Sequence, residues 1–196
     1  DTRDQREKYQ YAQDRCTNDW VLFIDADEWL TPDFKAEVQS IITARTSVDG
    51  YVAHRRNIYL GREIKYGGWY PDREIRLYKK SKGGWEGGIH AKVHVDGPTG
   101  TMKNYYMHTP YSNTAHQIRT IDRYATAFAE DLLRSGKHFH LINMLTRPVL
   151  RFIRDYILKR GFLDGIPGLI IAASTVYYVF MKQAKLWEME RKDGDR

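Results

Sequence analysis

The sequence predicts an α/β fold with a helical C-terminal part, on three observations. A short apolar run ends in a cluster of acids, strand-like and helix-like stretches alternate through the first two thirds, and the last third is patterned as helix. The apolar run is Trp20-Val21-Leu22-Phe23-Ile24, too short for a helix and rich in β-branched and aromatic residues. It reads as a strand buried on both faces, the kind that parallel sheets contain. Asp25, Asp27 and Glu28 follow at once, and since carboxylates are poor core residues the chain must surface there. The carboxyl end of a strand is where open α/β sheets place their ligands. Two aspartates separated by one small residue suit Mg²⁺ or Mn²⁺, which take carboxylate oxygens together with substrate phosphates and water. Aspartates after strands also cap helices, but Thr31 with Pro32 behind it already caps the next one, which leaves Asp25 and Asp27 for a metal.

The remaining elements follow in order. A polar helical segment precedes the apolar run, with Tyr9, Ala12 and Cys16 on one face. Residues 32 to 45 form an amphipathic helix with Phe34, Val38, Ile41 and Ile42 on its stripe. Asp49-Gly50 is a turn, and Tyr51 to Arg56 a strand ending in two arginines, Arg55 and Arg56, whose guanidiniums match phosphate oxygens in shape. From Tyr59 to Trp85 glycines and aromatics alternate, a composition suited to a sugar-binding loop. Aromatic faces stack on sugar rings there, and Asp72, Arg73 and Glu74 are its polar residues. Trp69 and Tyr70 lie at the centre of that stretch; Tyr78 reads as core. His90 and His94 have a spacing that pairs zinc ligands on a helix, but Ile89 to Asp96 alternates as a strand, so zinc is not expected. Tyr105 to His108 is a further short strand. Thr114 to Leu133 is an amphipathic helix through Ile118, Ile121, Ala125, Phe128 and Leu132, stopped near Gly136.

The last third changes character. Thr146-Arg147-Pro148 starts a helix with Val149, Phe152, Ile153, Tyr156 and Ile157 on its apolar face. Arg147, Arg151, Arg154, Lys159 and Arg160 stand elsewhere on it against Asp155 alone, a pattern suited to the headgroup layer of an anionic membrane. The uncharged run Ile166 to Met181 is shorter than the ~20 residues a span requires, so it reads as an interfacial, re-entrant or core helix.

Composition sets bounds. The chain has 196 residues, 42% of them apolar and 29% charged, enough for one core with an appendage. One cysteine excludes a disulfide framework and fits a reducing compartment. The net charge of +6 is compatible with nucleic acid, an anionic membrane or a phosphorylated substrate. Because the basic cluster keeps company with a long apolar run rather than with stacking aromatics, no nucleic-acid partner is expected.

Residues 19 to 28, Asp-Trp-Val-Leu-Phe-Ile-Asp-Ala-Asp-Glu, resemble the metal-binding Asp-x-Asp segment of family 2 glycosyltransferases with a GT-A fold. The likeness continues in Gly67-Gly68-Trp69-Tyr70-Pro71-Asp72-Arg73, in Arg76-Leu77-Tyr78, in Gly161-Phe162-Leu163-Asp164-Gly165 and in Lys185-Leu186-Trp187-Glu188. Together these are similar to the bacterial branch that adds sugars to the lipopolysaccharide core. The resemblance implies a truncated GT-A, Rossmann-like mixed sheet over residues 1–140, the opening nucleotide-binding strands lying ahead of this chain, and a helical membrane-associating appendage over 141–196. It implies an inverting, metal-dependent transfer from a nucleotide-sugar donor to a glycolipid or polysaccharide acceptor, in the cytoplasm on the inner face of the cell membrane. Asp25 and Asp27 would hold the metal, with Asp25, Arg73 and His108 toward the donor phosphates and Trp69, Tyr70 and His90 toward the acceptor. Related enzymes carry His-Glu where this chain has His90-Ala91, which leaves Asp72 or Glu86 as candidate base. The competing expectation is a catalytically impaired module that docks on a membrane or a partner.

Overall fold

The computed structural model describes residues 5–44, 46–87 and 91–194. Its elements are α1 (Gln5–Asp14), β1 (Trp20–Leu22), β2 (Glu28–Leu30), α2 (Pro32–Thr43), β3 (Gly50–Tyr59), β4 (Arg62–Glu63), β5 (Asp72–Lys79), β6 (Gly83–Glu86), β7 (Lys92–Val95), β8 (Thr99–His108), α3 (Thr114–Arg134), α4 (Leu141–Phe152) and α5 (Gly165–Gly194). Short 3₁₀ turns stand at Gly67–Trp69 and Gly161–Asp164, and a π-helical turn at Ile153–Leu158. The predicted mixed α/β class with C-terminal helices is borne out. The chain divides into two compact units, one of residues up to Ile58 with Pro71–Thr109, the other of Tyr59–Tyr70 with everything from Pro110. The 59–70 segment and helix α3 thus go with the C-terminal helices in one unit.

The first unit is a curled sheet in the order β1-β5-β3-β8-β2. Only β3 and β8 run parallel; β1–β5, β5–β3 and β8–β2 are antiparallel. The apolar run is thus not a central parallel strand. Strand β1 takes only Trp20–Leu22 and stands at the end of that order, and of its three residues only Val21 is buried. Its apolar character comes from aromatic cover: Phe23 packs edge-on against Tyr9 and Trp85 at 4.7 Å each, and Trp20 lies 6.1 Å from Tyr51. A five-residue apolar run cannot distinguish these two kinds of cover. Helix α1 buries Gln13 rather than Ala12, because the Gln13 amide bridges Gly83 O (2.7 Å) and the Tyr78 hydroxyl (2.8 Å).

Helix α2 begins where predicted. Thr31 accepts from the Phe34 amide at 3.2 Å and Pro32 holds the first helical position. Its stripe places Phe34, fully buried, against Ala53, Met102 and Tyr106, while Ile42 stays 44% exposed. Burial of Phe34 alone stabilises the unit by roughly 1.5–3 kcal/mol. The supposed loop from Tyr59 to Trp85 is more regular than its composition suggests, since Asp72–Lys79 and Gly83–Glu86 are strands. Gly83 is there because a Cβ would lie 2.4 Å from the Tyr78 ring. In β7 the predicted alternation holds, with Val93 and Val95 inward and Lys92 and His94 exposed.

In the second unit, Leu60 (φ 48°) and Gly61 (φ 77°) turn the chain from β3 into β4 through a hairpin of the type that needs positive φ at both central residues. Tyr59, Ile64 and Ile171 form its core with Trp69, Tyr111 and Ile170 around them, and the buried Tyr59 hydroxyl donates to Gln117 Oε1. Helix α3 starts on the Asn113 cap and stops before Gly136 (φ 66°), as predicted, although Ile118 is 43% exposed and Gln117 and Thr120 are buried instead. Helix α4 starts at Leu141, not Thr146, and Pro148 lies inside it. The Thr-Arg-Pro sequence mimics a helix start, but the apolar residues Leu141, Ile142 and Leu145 extend the helical pattern upstream.

Candidate active site

Strand registers assemble one polar cluster in the first unit. Arg55 on β3 stands opposite Asp72 on β5 and Tyr106 on β8, while Asn57 on β3 stands opposite His108, itself opposite Glu28 on β2. Side chains on a strand alternate between faces, so Arg55 and Asn57, Asp72, Glu74 and Arg76, and Tyr106 and His108 each fall on one face of their strand. Among the described residues the cluster holds the carboxylates of Asp25, Asp27, Glu28, Asp72 and Glu74 against the guanidiniums of Arg55 and Arg76. Carboxylates outnumber cations.

Arg76 is the hub. Its side chain is 4% exposed and donates to Glu28 (2.7 Å), Glu74 (2.9 Å), Asp25 (3.3 Å) and the Tyr106 hydroxyl (2.8 Å). Burial works against its charge, yet Tyr106, Glu28, Glu74 and Asp25 hold its pKa above the ordinary value. Glu28, whose side chain is fully buried, also accepts from Arg55 (3.1 Å) and the Asp25 amide (3.0 Å). Its carboxyl is pushed up by burial, against the pull of Arg76. Arg55 donates to Asp72 at 2.8 Å, and Arg56 lies 3.3 Å over the Tyr105 ring. The predicted pair of phosphate-clamping arginines is therefore not an open fork: Arg55 braces the carboxylates.

His108 links this frame to Asp27. Its Nδ1 lies 2.6 Å from Asn57 Oδ1, and Asn57 Nδ2 donates to Asp72 Oδ2 at 3.1 Å. With the Asn57 amide oriented by Asp72, Nδ1 carries the proton and Nε2 presents a lone pair. That Nε2 stands 3.3 Å from Asp27 Oδ2, and Asp27 is half exposed. Burial, then Arg55, lowers the imidazole pKa against the opposing pull of Asp27, which favours the neutral ring. Two lone-pair donors thus face each other across a gap that a proton or a cation fills favourably.

The donor set fits Mg²⁺ or Mn²⁺. Among the described residues no three His, Cys, Asp or Glu groups form a closed cage, and these ions do not need one, since one or two protein ligands with phosphate oxygens and water suffice. The Nδ1–H of His108 donates to an amide oxygen, the support that metal-bound imidazoles usually have.

The other predicted residues are distributed as follows. Asp72 joins the cluster as a partner of Arg55 and Asn57; Arg73, next to it, is exposed. Glu86 is exposed at the end of β6, paired in register with Lys92. Trp69 and Tyr70 belong to the second unit, where Trp69 packs 5.4 Å from Tyr59 and Tyr70 is 48% exposed. His90 lies outside the described residues. Sequence reasoning missed Asn57 and the bracing roles of Glu28 and Arg76. Period-two spacing would have put Asp72, Glu74 and Arg76 on one face, but only strand pairing brings Asn57 to His108.

No family model matches the chain. Its similarity to known proteins points to glycosyltransferases as a class. It is 26% identical over 93% of its length to an uncharacterised glycosyltransferase of Rickettsia typhi, and 25% identical over 93% to one of Rickettsia prowazekii. More particularly, it is 26% identical over 91% of its length to LpsC of Rhizobium meliloti, a lipopolysaccharide core biosynthesis glycosyltransferase. The chain spans 66%, 66% and 67% of these three relatives.

Proposed function

We propose that the chain carries the metal and acceptor part of a GT-A, family 2 type glycosyltransferase. It moves a sugar from a nucleotide-sugar donor to a membrane glycolipid or lipopolysaccharide-core acceptor, with inversion at the anomeric carbon, from a peripheral position on the inner face of the cell membrane. The observation that carries this reading is the opposition of Asp27 Oδ2 and His108 Nε2 at 3.3 Å within a cluster where acids outnumber cations, and the names of the relatives agree with it. Asp27 and His108 would hold Mg²⁺ or Mn²⁺, with Asp25 beside them on Arg76. The bound ion supplies charge that stabilises the leaving diphosphate. Asn57 and Asp72 hold the imidazole in the tautomer that offers Nε2, and Glu28 with Arg55 and Arg76 fixes the turn that bears both aspartates. Arg73 is the exposed cation available to donor phosphate, Trp69, Tyr70 and His90 are the acceptor candidates, and Glu86, whose carboxylate is exposed, is the candidate base for the acceptor hydroxyl.

The test is transfer of radiolabelled sugar to a lipid A–core acceptor in the presence of Mn²⁺. Asp27→Ala should lower transfer at least about 100-fold, the scale expected for losing electrostatic stabilisation of a transition state. Transfer that persists in Asp27→Ala, or without any divalent ion, contradicts the assignment. The second reading, a docking module without transfer, is favoured by Ala91 at the position where the resembled enzymes carry glutamate. It predicts that no donor and acceptor pair gives product.

A further inference from the structure

The second unit exposes apolar surface on a scale that calls for a partner. Leu141, Leu145, Val149, Ile153 and Ile157 repeat every four residues, and each is between 42% and 61% exposed. In a regular α-helix residues four apart advance about 40° past a full turn, so such a row would drift around the helix. The π-helical turn at Ile153–Leu158 is wider and winds back against that drift over the last step, from Ile153 to Ile157. Leu158 (71%), Phe162 (47%) and Ile166 (74%) continue it around the corner into α5. Exposed patches of this extent mark interaction surfaces.

Charge identifies the occupant. Arg147, Arg154, Lys159 and Arg160 are exposed along the same stretch, and Arg151 is partly so. The one acid between Leu141 and Leu163 is Asp155, and it is buried, held by Arg151 (2.5 Å) and Arg154 (2.8 Å). A second copy of the chain would set these cations against their own kind, whereas an anionic lipid surface satisfies them while accepting the leucines and isoleucines. Helix α5 is long and apolar enough to cross a membrane, but part of it is packed against the rest of its own unit. Ile171, Ala172 and Leu186 are at most 5% exposed, Lys182 lies 3.9 Å over the Phe128 ring and Lys185 pairs with Asp122 at 2.7 Å. Beside Leu141 opens a groove of about 620 Å³, lined by Phe139, Met144, Met181 and Trp187 together with Lys185 and Glu188, a size suited to a hydrocarbon chain.

We propose that the second unit lies on, and does not cross, an anionic bilayer, with the Leu141-to-Ile166 row inserted, Arg147, Lys159 and Arg160 at the lipid phosphates, and one acyl chain in the groove by Trp187. The proposal deepens the glycolipid reading by naming the lipid-binding surface, but its test reads binding alone, so either reading can fail without the other. The 196-residue chain is sedimented with vesicles of phosphatidylglycerol and phosphatidylethanolamine, or of phosphatidylcholine. Binding should favour the anionic vesicles by at least about tenfold, weaken with salt, and fall about fivefold for each of Arg147→Ala, Lys159→Ala and Arg160→Ala. Leu145→Asp with Leu158→Asp should abolish it while circular dichroism stays unchanged, since both side chains are exposed. Lipids brominated on the acyl chain should quench fluorescence that Trp187→Phe removes. Equal binding to phosphatidylcholine, no vesicle binding, or a dimer that the Leu145 and Leu158 substitutions dissociate would each overturn the proposal.

Discussion

Glu28 illustrates how far a residue's type stands from its role. In the sequence it is the third acid of an exposed cluster, but its side chain is fully buried between Arg55, Arg76 and the Asp25 amide. Replacing it with glutamine leaves the buried Arg76 and the partly buried Arg55 short of one counter-charge. Removing one partner of a buried pair costs 3–5 kcal/mol, and because Arg76 keeps Glu74 and Asp25 the loss expected in urea denaturation is about 3 kcal/mol. A loss below about 1 kcal/mol would mean that the cluster does not brace the aspartate turn. Asp25, Asp27 and His108 stood out as candidates in the sequence because of their residue types and neighbours. Asn57 was not, since a lone asparagine in a strand carries no signal until β3 is placed beside β8.

Elements were most legible where the signal is local. The Thr31-Pro32 start of α2 and the Gly136 stop of α3 depend on a single turn of chain, and both appear as read. Strand order was hidden, because five apolar residues look alike at an aromatic-covered edge and in a parallel core. The joints of the second unit were hidden too. Asp164, 1% exposed, accepts from the Lys65 and Tyr66 amides, and Gly168 lets α5 approach Gly161 so closely that a Cβ would lie 2.1 Å from its carbonyl oxygen. Asp164→Ala strands two partly buried amides and should cost about 2–4 kcal/mol, with Asp164→Asn, which retains an acceptor, losing less. Equal losses in thermal denaturation would assign the effect to charge rather than to the two amides.

For the molecule as a whole, the α/β class and helical end follow from hydrophobic periodicity, while the division into units does not. Periodicity says that residues 59–70 are polar, aromatic and glycine-rich; their assignment to the helical unit follows from the packing of Tyr59 and Ile64 on Ile171 and from the Asp164 bonds. The two proposals divide the same way, the metal pair lying in the sheet unit and the lipid-binding surface in the helical one. The central claim is that Asp27 and His108 together hold a divalent ion. Its most direct measurement is paramagnetic broadening of the His108 imidazole resonances on titration with Mn²⁺. The account predicts selective broadening of His108 over the exposed His94, abolished by Asp27→Asn and shifted to about 10–100-fold higher Mn²⁺ by Asn57→Ala. No broadening at His108, or broadening that survives in Asp27→Asn, would contradict it.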